Sequence, residues 1–338
     1  MSRSRSPKQS IKEKMDASLV GAFVADAAGV GFEWLYDQAR IVKITGGKDA
    51  CFHTPDSTDY RGVTGYYVMD GKKPGDISMY GVHLQAALEA VATNANHQLD
   101  GSEFLESFTK TFGYGGTYHG YIDKTTRLTL NNILLREAGH LDVEYEECGA
   151  DDPQASAFAK LPALLKSSMG TAKGMQFASE VVASIKLTNN NDLAIGTGIV
   201  MAGMLRTARS GDTLANTIIA GANVAENIGG KVQELFEDAT TDNSRALSQQ
   251  DYATKKGLSC ALTSSFPVII HAICKAKNSS FKQVINNNVL CGGDCCGRSI
   301  MIGAILGPIF GLEGIPKEWQ KMVKKQNPDL WVTIAALK

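Results

Sequence analysis

The chain has 338 residues, 43% of them hydrophobic and 20% charged, ordinary globular usage that excludes a fibrous or wholly disordered chain. Its 34 Lys and Arg face 35 Asp and Glu for a net charge of −1, which gives no basic footprint for nucleic acid. No uninterrupted apolar run reaches the ~18 residues of a membrane span. The cysteines number seven, two of them adjacent (Cys295, Cys296), and no apolar leader is visible, so a soluble, reduced, intracellular protein is expected.

Residues 1–14 are polar and basic, with Arg3, Arg5, Lys8, Lys12 and Lys14 against Glu13, and read as a disordered tail ahead of one domain over 15–338. The helical period itself starts at Ile11 and runs to Gly29 through Met15, Leu19, Val20, Phe23 and Val24. Gly21, Ala22, Ala25, Ala27 and Ala28 make this a helix that another backbone can approach closely. Over 36–78, glycines, prolines, Asp56, Asp59 and Asp70 interrupt short apolar pieces, which predicts loops with a few short strands or turns, forming a wall or lid.

Helical spacing returns at Tyr80, Leu84, Leu88 and Val91, and a further helix opens at Asp100 with Glu103 placed for a capping box. A glycine-rich stretch over 113–120 leads to a helix over 123–136, with Gly139 as its terminal cap. The acidic stretch 141–152 reads as a solvated connection. Helices are then predicted over 155–168, 174–186, 192–209, 213–229, 230–238, 251–260, 265–276 and 279–289, after Gly293, and from Pro316. About a dozen helices with short connections and no alternating pattern make the fold class all-α, one compact multi-helix domain.

Several chemistries are absent. No P-loop occurs, Gly196-Thr197-Gly198 lacks the third glycine of a dinucleotide fingerprint, and no HExxH is present. Cys291, Cys295 and Cys296 are a poor match to the paired arms of a zinc site and read best as small buried thiols. A catalytic thiol would need His271 or His119 beside it in space. Asp26 sits inside an apolar helix, where a carboxylate is costly without partners. It either bonds a facing helix end or belongs to a site. Asp294 follows Gly292-Gly293 and is either an N-cap or a ligand.

Together, Leu19–Gly29 with Phe32-Glu33, and Gly292-Gly293-Asp294 with Ile302–Gly307, Ile315-Pro316 and Trp319, resemble the ends of the ADP-ribosylglycohydrolase family. That resemblance implies an all-α core and a cleft holding two magnesium ions. It also implies metal ligands from a Thr-Asp-Asp motif before a helix and from an Asp-x-Asp-Thr motif at the terminal helix. Here Pro74–Met79 keeps at most Asp76 of the first motif, and Cys295, Cys296, Gly297 and Arg298 follow Asp294 in the second. Two carboxylates cannot hold two divalent ions, so the binuclear site reads as lost, with no metal and no cofactor.

A narrower likeness, carried by Glu33–Asp37, Gly120–Asp123 and Gly292–Ser299, is to a divergent crystallin branch of that family from jellyfish eye lenses. It implies a non-catalytic structural protein of lens-cell cytoplasm, whose partners are itself and other lens proteins, not nucleic acid or membrane. Asp26, Glu33, Asp76 and Asp294 are then vestigial positions. The alternatives are a hydrolase of ADP-ribosyl or related N-glycosidic bonds using those four residues, with Asp123 as a further candidate, or a non-catalytic ADP-ribose-binding module.

Overall fold

Helix α1 (Ile11–Gly29) starts with a full capping box, Ser10 and Glu13 each bonding the other's backbone N–H. The computed structural model describes residues 10–164 and 174–337. The tail expected over 1–14 therefore gives way to helix by Ile11, and residues 1–9 lie outside the described residues. Among the described residues α1 is the one helix long and apolar enough to cross a membrane, yet 89% of that apolar window is buried inside the protein.

What buries it is α14 (Cys295–Phe310), antiparallel along its length. A Cβ on Gly21 would land on the Gly303 carbonyl, one on Gly303 on the Gly21 carbonyl, and one on Gly307 on the Ala17 carbonyl. Small residues four apart on each helix thus bring the two backbones into contact, and the Ser18 hydroxyl donates to the Ala304 carbonyl at 2.8 Å. The approach of another backbone expected for α1 is made by α14, and the two form the axis of one all-α domain.

The other helices wrap this pair. They are α2 (Gln38–Thr45), α3 (Met79–Thr93), α4 (Gly101–Phe112), α5 (Lys124–Glu137), α6 (Gly174–Lys186), α7 (Asp192–Arg209), α8 (Leu214–Ile228), α9 (Gly230–Thr240), α10 (Asp242–Ala246), α11 (Gln249–Lys256), α12 (Leu262–Lys275), α13 (Phe281–Leu290), α15 (Lys317–Gln326) and α16 (Pro328–Ala336). Helices α7, α12 and α13 pack on α14, α3 packs on α1, and α4 packs on α3. No strand forms among the described residues, only isolated bridges such as Leu35 with Gly65.

Three expectations change. The 36–78 region carries α2, capped by Asp37 and closed by Gly46 at φ 62°, and a 3-10 turn at Ser57–Tyr60, but no strands. The helix expected over 155–168 is two 3-10 turns, Ala155–Phe158 and Leu161–Ala163. Pro162 explains the break, because it disfavours helical geometry in the residue before it; residues 165–168 lie outside the described residues. Asp100 caps α4, but Glu103 bonds the Asn94 side chain and leaves the capping box incomplete.

Candidate functional site

Chain segments from three places converge: the end of α1 with the turn after it, the N-terminus of α3, and the N-terminus of α14. Asp26, in the last turns of α1, is fully buried. Its Oδ2 accepts the Ser78 N–H at 2.8 Å and its Oδ1 the Ser78 hydroxyl at 2.5 Å. Ser78 is the N-cap of α3, and the Gly81 N–H also points at the carboxylate. Asp26 is thus a carboxylate set against a facing helix N-terminus, where free N–H groups stabilise it. Burial still outweighs these donors and Lys72, pushing its pKa up to about 7.

Glu33 follows the 3-10 turn Val30–Phe32 and is 1% exposed. Its Oε2 accepts the Cys296 N–H at 2.7 Å and faces the Cys295 thiol at 3.3 Å. Burial, then the Cys295 thiol and the Asp294 carboxylate, hold Glu33 well above the usual carboxylate range. Asp294 occupies the N-cap position of α14 without capping it. Its Oδ1 instead accepts the Tyr80 hydroxyl at 2.7 Å and the Trp34 indole N–H at 3.4 Å. Its Oδ2 is buried without a hydrogen-bond partner, lying where a Cβ on Gly297 would be.

The thiols of Cys295 and Cys296 reach the Gly29 and Asp26 carbonyls at 3.3 and 3.4 Å, an approach that Gly29 permits by lacking a side chain. Burial, Cys295 and Glu33 push the Cys296 thiol up. Neither expected base is near. His271 bonds the Ser244 carbonyl and stacks on Tyr252, and His119 is exposed.

Arg298 is fully buried, and no carboxylate lies within ion-pair distance of it among the described residues. Its guanidinium bonds Asn288 Oδ1 at 2.8 Å and the carbonyls of Gly292 at 2.6 Å and Leu258 at 3.4 Å. It braces the Gly292-Gly293 turn, whose residues sit at φ 69° and 63° with no room for a Cβ.

The remaining expected residues stand apart. Asp76 closes a surface turn by accepting the Lys73 N–H at 2.7 Å; Ser78, Met79 and Tyr80 enter α3, and none is a carboxylate. Asp123 caps α5 through the Thr126 N–H at 2.8 Å and belongs to a second buried polar group. There Lys160 donates to the Thr188 hydroxyl at 2.5 Å and His83 meets the Thr126 hydroxyl at 2.9 Å.

A small cleft lies beside Glu33, and none of Asp26, Asp294 and the two cysteines lines it. Glu33, Trp34, Val68, Met69, Met79, Tyr80 and Tyr121 line it, and its volume is about 10 Å³, room for one water at most. Trp34 does much of the filling, edge-on to Tyr121 with ring centres 4.8 Å apart. Its backbone sits at φ 63°, uncommon for a bulky residue. It is held there by its N–H on the Gly293 carbonyl at 2.8 Å and its own carbonyl on the Tyr66 N–H at 3.0 Å. Sequence reasoning gave no role to Trp34, Tyr80, Tyr121, Met69 or Met79; they come from separate segments, and no local pattern joins them.

The sequence pattern of the ADP-ribosylglycohydrolase family matches residues 7–337. The chain belongs to that family. Among curated proteins it is similar to Crystallin J1A of Tripedalia cystophora, 23% identical with 94% of each chain covered. Crystallin J1B of the same organism is 21% identical with 92% of each covered. A solved structure described as an ADP-ribosylglycohydrolase-related protein complex superposes with a TM-score of 0.64 at 15% identity, covering 97% of both chains, a likeness of fold.

For an ADP-ribosylglycohydrolase the family resemblance implies a magnesium pair, and the residues present do not fit it. Magnesium needs near-octahedral hard oxygens and keeps several waters. Here the donors are the Glu33 and Asp294 carboxyls and two thiols; Asp26 and the Ser78 hydroxyl are committed to each other, the Met79 thioether accepts the Asp123 N–H, and Gly297 offers nothing.

Proposed function

We propose that this protein is a structural constituent of the eye lens, a crystallin built on a catalytically silent ADP-ribosylglycohydrolase fold. It acts by concentration in the cytoplasm of lens cells, beside copies of itself and other lens proteins. The donor set carries the silent half of this reading: Cys295, Cys296 and Gly297 follow Asp294 where a magnesium pair needs hard oxygens, and the cleft beside Glu33, about 10 Å³, is too small for a ribose. The crystallin names of J1A and J1B, relatives matched over more than nine-tenths of the chain, support the lens half. Helices α1 and α14, buried over most of their length, give a core that needs no ligand to complete it.

The test is direct. Incubated with mono-ADP-ribosylated protein and Mg²⁺, the chain is expected to release no ADP-ribose above a blank, and in the source animal it is expected among the abundant soluble lens proteins. Catalytic release would establish a hydrolase. Retention of ADP-ribose without release would establish a binding module.

A further inference from the structure

The donors that reject magnesium have a different chemical preference. We propose that Glu33, Cys295, Cys296 and Asp294 form a closed site for one thiophilic divalent cation of the zinc or cadmium class. Zinc takes four ligands from thiolates, imidazoles and carboxylates and in closed sites keeps no water. The ligand atoms of Glu33, Cys295 and Cys296 lie within 4.8 Å of one another, and all three residues are buried. Asp294 lies outside that three-residue cluster; it is fully buried, its Oδ2 has no hydrogen-bond partner, and it supplies the fourth ligand by turning toward the cluster on binding.

The supporting frame is already in place. Glu33 is oriented by the Cys296 N–H at 2.7 Å, and Asp294 Oδ1 by the Tyr80 hydroxyl at 2.7 Å, the outer contacts that position metal ligands. The thiols give up only contacts of 3.3–3.4 Å with carbonyl oxygens and Glu33. On binding, two S–H bonds break and two metal–sulfur bonds form. Their protons pass to solvent. The inference is independent of the lens role, since a closed site performs no hydrolysis.

Titrating the full chain, kept reduced with a phosphine, with Cd²⁺ tests it through the ultraviolet sulfur-to-cadmium charge-transfer band. The band is expected to saturate at one ion per chain, to resist excess Mg²⁺, and to vanish in Cys295→Ser/Cys296→Ser. Glu33→Gln should keep the band but weaken affinity by about tenfold or more. Cys260→Ser should change nothing, because that thiol faces Gln154 instead. A band that never saturates, or that survives in the double variant, overturns the proposal. If the double variant does not fold, X-ray absorption of the zinc-loaded wild type decides. Two sulfurs and two oxygens around zinc support the site, and a shell of nitrogen and oxygen alone refutes it.

Discussion

Buried Asp26 and Lys160 make the stability of this chain depend on pH in opposite senses. Asp26 titrates at about 7 when folded against 3.8 as a free carboxyl, chiefly through burial. Between these values the folded chain holds a proton that the unfolded chain has released. Its contribution to stability is therefore greatest at the acid end and declines as pH rises to 7. Asp26→Asn should remove that slope, seen as a smaller difference between urea midpoints at pH 5 and pH 8; an unchanged difference would contradict it. Burial lowers Lys160 from 10.5 to about 7, so here the unfolded chain binds more protons and stability rises with pH across that window. Lys160→Met should abolish the rise, read from unfolding at pH 7 and pH 9.5, with most of its gain at pH 7. The sequence exposed the problem at Asp26, a carboxylate in an apolar helix, but not its answer. Ser78 lies 52 residues away, and nothing local joins the two.

Among the elements, the α1–α14 contact is the least tolerant of change. A methyl at Gly303 would meet the Gly21 carbonyl and the Ala25 side chain, so Gly303→Ala should cost about 1–3 kcal/mol or more. Gly203→Ala, whose nearest obstacle is Val224 Cγ2 at 3.3 Å, should cost far less or gain helix propensity. Equal losses in thermal unfolding would refute the close-contact account. This pairing was legible because small residues recur on both helices at helical spacing. The bounds of α1 were legible from a long apolar, small-residue-rich run that begins at Ile11 and ends at Gly29. By contrast, α2 is eight residues long and its signals were only its caps, Asp37 and Gly46. Helix α16 was signalled by little more than Pro328 at its start. Over 155–164, where two 3-10 turns form, the apolar content suggested a helix and outweighed Pro162.

Across the whole molecule, the loss of carboxylates from both motifs was readable, and so was the family. The closing of the pocket was not. It depends on the backbone of Trp34 holding a left-handed conformation against Gly293, and on Tyr80 and Tyr121 arriving from other segments. Trp34→Ala should enlarge the pocket and cost about 3 kcal/mol or more as a cavity, without restoring magnesium affinity, because the donors stay the same. Calorimetric titration of Mg²⁺ together with ADP-ribose into the reduced full-length chain tests the central claim most directly. The filled, donor-poor pocket predicts no heat beyond dilution. Saturable heat corresponding to two ions per chain would contradict it.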